Sequence, residues 1–145
     1  MGESTADALN SWVYILQYLL QQKRPNDNIK VINAAISGQT TPEALRRITT
    51  LVKQKPDWVI CHLGANDCMR YGDENNKPTV SLPETLQNLE TIRRIVANET
   101  HTKFLWITPA PINEKKIASF PPFKAIKMHL RNEDILAVAD SLLQK

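Results

Sequence analysis

The stretch Trp58-Val59-Ile60-Cys61-His62-Leu63-Gly64-Ala65-Asn66-Asp67 decides the fold, because a nearly continuous apolar run leads directly into a short polar turn. Such a run is typical of a strand that is covered on both faces of a parallel sheet. Lys55-Pro56-Asp57 stands in front of it and ends the segment before. We therefore expect a buried parallel strand over 58–63 that carries the turn 64–67 at its carboxyl end.

Helices and strands alternate along the rest of the chain. Apolar residues at three- and four-residue steps predict amphipathic helices, and short β-branched or aromatic runs predict strands. Parallel strands joined by helices of this length cross over with a right-handed connection, so we expect an α/β fold with three layers, α/β/α, around a parallel sheet. The predicted helices cover 5–22, 41–52, 82–96 and 135–143, the predicted strands cover 29–32, 58–63 and 104–107, and the proline-containing segment 108–123 is expected to be irregular.

Local signals set the ends of the first two helices. Pro25-Asn26-Asp27-Asn28 has turn chemistry and ends the first helix. Thr41-Pro42-Glu43 reads as the start of the second, with Thr41 as its cap and Pro42 in its first turn.

Composition and charge exclude several classes of function. The chain has 145 residues, 42% of them hydrophobic and 23% charged, which fits one globular domain over 1–145. The net charge of +3 is spread over short pairs such as Arg46-Arg47, which is too weak a signal for a nucleic-acid groove. The longest apolar stretch is broken at Gln17 and at Gln21-Gln22, so we expect no membrane span. The oligomeric state is left open.

The two cysteines carry no recognisable metal motif. Cys61 and Cys68 form neither a Cys-x-x-Cys pair nor part of a histidine-rich cluster, so a zinc site is not expected. Reduced, partly buried thiols are the default interpretation. Met1-Gly2-Glu3-Ser4 lacks the basic and apolar regions of a secretory signal, which leaves the compartment unknown, with the cytoplasm as default.

Three short blocks stand where ligands bind in such folds, beyond the carboxyl ends of the strands. They are Gly2-Glu3-Ser4-Thr5, then Asn33-Ala34-Ala35-Ile36-Ser37-Gly38-Gln39-Thr40, then Gly64-Ala65-Asn66-Asp67. In order and spacing they resemble the first three sequence blocks of the SGNH (GDSL-like) hydrolases, a family of esterases and lipases with a flavodoxin-like fold. The third block, Gly-x-Asn-Asp, matches without a departure, whereas the first reads Gly-Glu-Ser where the family usually has Gly-Asp-Ser.

The resemblance implies a carboxylic ester hydrolase that acts on a small-molecule ester and needs no metal or organic cofactor. Ser4 would be the nucleophile, and the backbone N–H groups of Ser4 and Gly38 with the side-chain amide of Asn66 would form the oxyanion hole. A glycine lets the backbone approach a substrate carbonyl closely, and a carboxamide donates without ionising. Donors of this kind stabilise charge that appears only in the transition state.

Two features of the family are absent from this sequence. The family's base is a histidine in an Asp-x-x-His block, and none of His62, His101 and His129 follows an Asp by three residues. We therefore assign the base to none of them. The family also has a hydrophobic strand that runs directly into the first block. The resemblance thus predicts an incomplete SGNH-type domain that lacks the first strand and the Asp-x-x-His block.

Other interpretations of the same residues are open. Ser4 with Asp7 has the form of a capping box, Gly38 fits an ordinary turn, and Asn66-Asp67 fits an Asx-type loop. Gly2-Glu3-Ser4-Thr5-Ala6 also resembles, loosely, the Gly-x-Ser-x-Gly elbow of α/β-hydrolases. At the level of function, the alternatives are a catalytically inactive SGNH-like scaffold that acts as a binding domain, and a flavodoxin-like binding domain, although no Gly-x-Gly-x-x-Gly occurs.

Overall fold

The computed structural model of the chain describes residues 1–2, 4–7, 11–99 and 101–144. Helices and strands alternate only in part: three helices come first, and strands and helices are interspersed after them. The helices are α1 (Ser4–Asp7), α2 (Trp12–Lys23), α3 (Thr41–Val52), α4 (Leu82–Glu99), α5 (Glu114–Ser119), α6 (Pro121–Ala125) and α7 (Asn132–Leu143), and the strands are β1 (Trp58–Cys61), β2 (Arg70–Tyr71), β3 (Lys103–Trp106) and β4 (Met128–His129).

A parallel sheet built on β1 organises the fold. β3 pairs with β1 in parallel, with Trp58 opposite Lys103 and Cys61 opposite Trp106. Gly2 forms a parallel bridge with His62, whose backbone N–H donates to the carbonyl of Met1 at 3.1 Å. The backbone hydrogen-bonding groups of successive residues point to opposite edges of a strand. Because Cys61 pairs with β3 and His62 pairs with Gly2, Met1-Gly2 lies on the opposite side of β1 from β3. The predicted α/β class with a parallel sheet is confirmed, as an incomplete α/β/α fold.

The core lies between this sheet and the helices α3, α4 and α7. α4 packs along α3, and it also contacts β3 and α7. Ile48 of α3, Leu89 and Ile92 of α4 and Ile135 of α7 are almost completely buried there. Gly64 belongs to the same core, because its φ of +117° and the 2.9 Å between the position of a Cβ and the side chain of Val138 both require a glycine. The turn after β1 is therefore held tightly against α7.

The predicted strand over 29–32 is wrong. The structure has no strand there, and both Ile29 and Ile32 are exposed. A strand needs a neighbouring segment that pairs with its backbone N–H and C=O groups. Among the described residues no segment pairs with 29–32, and the hydrogen bond to Gly2 comes from further along the chain, from the N–H of Ile36 at 3.1 Å. The β-branched run is therefore extended chain without a ladder.

The first predicted helix is also divided differently. Residues 5–7 belong to α1, residues 8–10 lie outside the described residues, and Trp12–Lys23 forms α2. Ser11 is the cap residue of α2, and its hydroxyl donates to the carbonyl of Ala6 at 3.0 Å. The predicted stop is confirmed, because α2 ends at Lys23, just before Pro25.

The cap of α3 is Thr40 rather than Thr41. The backbone N–H and the hydroxyl of Thr40 both donate to the carboxylate of Glu43, at 2.8 and 2.9 Å. This is the return half of a capping box, with Pro42 in the first turn as predicted. Thr41 is the first residue of the helix, and its side chain is directed to a different partner, described below.

The segment expected to be irregular contains two short helices, α5 and α6. Pro121 and Pro122 stand in the first turn of α6, where a missing N–H costs nothing. The segment ends in β4, which pairs antiparallel with β2. Arg70 of β2 and Asp134 of α7 form an ion pair beside this ribbon, at 2.7 Å. No helix in the described part of the chain is long and apolar enough to cross a bilayer.

Candidate active site

The first and second sequence blocks lie against each other. The carbonyl of Gly2 accepts the N–H of Ile36 at 3.1 Å, and the side-chain amide of Asn33 donates to the carbonyl of Ala6 at 2.8 Å. A Cβ on Gly2 would lie 3.7 Å from that of Ala35 and only 2.9 Å from that of Ala6. A side chain at position 2 would therefore clash with Ala6 and, at 3.2 Å, press on the carbonyl of His62, while its contact with Ala35 would be an ordinary one.

The second and third blocks are joined by two hydrogen bonds that run in opposite directions. The Nδ2 of Asn66 donates to the carbonyl of Gln39 at 3.0 Å, and the backbone N–H of Thr41 donates to the Oδ1 of Asp67 at 2.8 Å. The N–H of Gln39 in turn donates to the carbonyl of Ile36 at 3.2 Å. A hydrogen-bonded path thus runs from Gly2 through Ile36 and Gln39 to Asn66, beside the carboxyl end of β1.

Ser4 follows, two residues along the chain, the Gly2 at which this path begins. It is the first residue of α1, two positions after the bridge that joins Gly2 to β1, and it is exposed. The first N–H groups of a helix have no acceptor within the helix. Ser4 therefore combines a hydroxyl at the surface with a backbone N–H of the kind that an oxyanion hole uses.

Gly38 occupies an open part of the second block. Its φ of +76° lies in the left-handed region, which explains the glycine, and a Cβ there would meet no atom within 4 Å. Gly38 is exposed, whereas its neighbour Gln39 is buried. The backbone at position 38 is therefore within reach of a molecule in the solvent.

Asn66 opens a single turn of 3-10 helix, Asn66–Cys68, and is half-buried. Its carboxamide is oriented by the bond to Gln39. An amide nitrogen carries two hydrogens, so this bond fixes the direction in which the second one points. The turn therefore determines where this candidate donor is aimed.

Asp67 is a functional candidate that the sequence interpretation missed. Its carboxylate is completely buried and accepts the N–H and the hydroxyl of Thr41 and, at 2.7 Å, the hydroxyl of Thr85. Burial raises the pKa of Asp67, and the hydrogen bonds from Thr41 and Thr85 act in the opposite direction. The Gly-x-Asn-Asp motif contained the signal, because its Asp directly follows the proposed donor.

The three histidines lie in different places. His62 is buried beside Gly2, and its pKa is lowered, first by burial and then by the nearby N-terminal ammonium group. His101 is exposed, two residues before β3. His129 lies on β4, with its Nε2 3.1 Å from the carbonyl of Gly72. None of these contacts marks a base.

The two cysteines are buried and form no disulfide. The Sγ of Cys68 lies 3.5 Å from the carbonyl of Gly64, within the turn of the third block. In the part of the chain that the structure describes, no cluster of His, Cys, Asp and Glu is arranged to hold a metal ion.

A sequence model of the GDSL-like lipase/acylhydrolase family matches residues 1–141. Thioesterase 1/protease 1/lysophospholipase L1 of Escherichia coli K12 is 39% identical over 61 residues, which cover 41% of this chain and 29% of that protein. An acetylxylan esterase of Geobacillus stearothermophilus is 38% identical over 74 residues, which cover 50% and 34%.

A similar fold occurs among solved structures. A lipase/acylhydrolase from Enterococcus faecalis superimposes with a TM-score of 0.71 at 23% identity, over 99% of this chain and 67% of that one. The matches to the two relatives above span about a third of the length of those proteins. The family model, in contrast, covers nearly all of this sequence and agrees with the family that the three motifs resemble. The chain belongs to the GDSL-like lipase/acylhydrolase family.

Proposed function

We propose that this single domain belongs to a carboxylic ester hydrolase with Ser4 as nucleophile, and with the backbone N–H groups of Ser4 and Gly38 and the side-chain amide of Asn66 as oxyanion donors. The observation that carries the proposal is the hydrogen-bonded path from Gly2 to Asn66. It supports the convergence of three motifs that are far apart in the sequence. The substrate is a small-molecule ester.

The reaction follows from these roles. The Ser4 Oγ attacks the acyl carbon while a base takes its proton, and the carbonyl oxygen becomes an oxyanion that Gly38 and Asn66 stabilise. Collapse of this intermediate breaks the bond to the alcohol, which leaves with the proton, and water then releases the acid from Ser4. The open space at Gly38 supports access of the ester, and the fixed carboxamide of Asn66 supports a preorganised donor.

The relatives support the ester class without narrowing it. The E. coli protein is named as a thioesterase, a protease and a lysophospholipase, and the Geobacillus protein as an acetylxylan esterase. Each of these activities transfers an acyl group to water, which is the reaction that an activated serine with an oxyanion hole performs. The acyl group and the alcohol are left to experiment.

The test is the release of acetate from glycerol triacetate, followed by NMR. Because the sequence has no Asp-x-x-His block, we expect slow release by the chain alone and faster release with added imidazole as an external base. Ser4→Ala should abolish the release above that of imidazole itself. Asn66→Ala should lower it by about 100-fold, the usual effect of losing one oxyanion donor.

Ser119→Ala is the matched control. Ser119 is an exposed serine on α5, outside the three blocks. This variant should release acetate as fast as the unaltered chain. Equal release by Ser4→Ala and the unaltered chain would rule out Ser4 as nucleophile and favour the inactive scaffold.

A further inference from the structure

The carboxylate of Asp67 joins three separate elements in the interior. It accepts hydrogen bonds from Thr41 at the start of α3 and from Thr85 in the first turns of α4, while Asp67 itself lies in the turn after β1. Thr41 and Thr85 are both almost completely buried. The side-chain amide of Asn88, one helical turn beyond Thr85, donates to the hydroxyl of Thr41 at 3.1 Å and extends the network.

This network closes a small ring with the proposed oxyanion donors. The backbone carbonyl of Gln39 accepts a hydrogen bond from the side-chain amide of Asn66. Two residues later, the backbone N–H of Thr41 donates to the carboxylate of Asp67. The two bonds link the segment 39–41 to the dipeptide Asn66-Asp67 and leave little freedom for relative movement. Gly38 adjoins one side of the ring, and the carboxamide of Asn66 is part of the other.

A buried carboxylate is a costly way to hold a loop. Removing a charge from water is unfavourable unless hydrogen bonds compensate for it, and here three donors from Thr41 and Thr85 do so. Apolar packing would hold α3 and α4 together, and Ile48 and Leu89 already provide it. What the carboxylate adds is direction, because hydrogen bonds fix distance and angle and apolar contacts do not.

We infer that Asp67, held by Thr41 and Thr85, is a positioning residue that keeps the Asn66 carboxamide aligned with the Gly38 backbone. The inference rests on the proposed function for its consequence in catalysis. Asp67 acts through Asn66. Loss of the hydrogen-bond network around Asp67 should therefore weaken stabilisation of the transition state and leave binding of the ester unchanged. Thr85 is the part of the network that can be altered without touching either motif.

The test compares three variants of α4. Thr85→Val removes the hydroxyl and keeps the shape, Thr85→Ser restores the hydroxyl, and Thr91→Val removes a hydroxyl of the same helix that donates only to the carbonyl of Gln87, at 2.8 Å. With glycerol triacetate and imidazole, Thr85→Val should lower kcat about tenfold with KM unchanged, because it loses one hydrogen bond to a charged group. Thr85→Ser should restore most of kcat, and Thr91→Val should keep it.

A second measurement does not depend on turnover. The Asn66 side-chain amide is followed by NMR, with the Asn66→Ala variant to assign its signals. Thr85→Val should speed its hydrogen exchange with water by about tenfold, because the ring around Asn66 loosens, and Thr91→Val should not. If Thr85→Val does not fold, Asp67→Asn takes its place, with the same expected results.

The outcomes separate the two proposals. If Thr85→Val only lowers stability and leaves both kcat and the Asn66 exchange rate as they are in Thr91→Val, Asp67 has a structural role and the inference is overturned. If the unaltered chain shows no Ser4-dependent turnover, the proposed function fails. The exchange rates then decide the positioning role alone, and an unchanged Asn66 rate in Thr85→Val overturns it.

Discussion

Two regions of the molecule differ sharply in how they are packed. In the packed region, formed by α3, α4 and α7, Ile92 and Ile135 are 0% exposed. In the open region, formed by α2 and the segment 24–36, Ile15 is 56% and Tyr18 is 61% exposed. Val13 of α2 is buried, but the exposed apolar side chains of the open region contribute little to burial, so we expect the free energy of folding to come mainly from the packed region.

The candidate active site spans both regions. Asn66 and Asp67 are tied to the packed region through Thr41 and Thr85, whereas Ser4 follows Gly2 on the side of α2. Two of the buried polar atoms without a hydrogen-bond partner among the described residues are the Nε1 of Trp12 and the Oε1 of Gln39, beside this boundary. The proposed oxyanion donor Asn66 is therefore expected to be held more firmly than the proposed nucleophile Ser4.

The largest difference is expected from removing one isoleucine side chain in each region. Ile92→Ala should lower the free energy of unfolding by about 4 kcal/mol, because it leaves a cavity in the core. Ile15→Ala removes a side chain that is mostly exposed and should cost less than about 0.5 kcal/mol. Urea denaturation of both variants checks this, and equal losses would remove the distinction between the regions.

Two glycines sharpen the comparison within the site. Gly64→Ala should cost about 3 kcal/mol, because the new methyl group would overlap the side chain of Val138 and the backbone has a positive φ. Gly38→Ala should cost only about 1 kcal/mol, since it meets strain of the backbone and no atom nearby. Urea denaturation of both variants measures the two costs. A cost for Gly38→Ala as large as that for Gly64→Ala would contradict the prediction.

A smaller effect concerns pH. The folded protein lowers the pKa of His62 below its ordinary value of 6.5, so the unfolded chain binds a proton more readily. Stability from this group is present above the unfolded pKa and is lost as the pH falls toward the folded pKa. The free energy of unfolding should therefore decrease between about pH 7 and pH 5, and His62→Gln should flatten the decrease. An unchanged slope in His62→Gln would show that His62 is not responsible.

The sequence predicts the packed region well and the open region poorly. The apolar run that contains β1, the periodicity of α4 and the proline in the first turn of α3 are local signals, and each predicted its element. The run 29–32 has equally good local signals, but a strand also requires a neighbour, which local sequence does not reveal. Strands of two residues, such as β2 and β4, show no periodicity at all.

The site shows the same limit. The three motifs could be read from the sequence, and the path from Gly2 to Asn66 connects them. Thr41 was expected to cap α3, yet Thr40 does so, because Thr41 is engaged by Asp67, 26 residues further along the chain. The contact of Thr85 with Asp67 could not be predicted either, since it depends on how α4 packs against α3.

The central claim is that Ser4, Gly38 and Asn66 surround one reacting carbonyl. The most direct measurement is a crystal structure of the chain after reaction with a fluorophosphonate in the presence of imidazole. We expect phosphorus on the Ser4 Oγ and a phosphoryl oxygen about 3 Å from the Gly38 nitrogen and the Asn66 Nδ2. No adduct at Ser4, or an adduct whose oxygen contacts neither donor, would contradict the account.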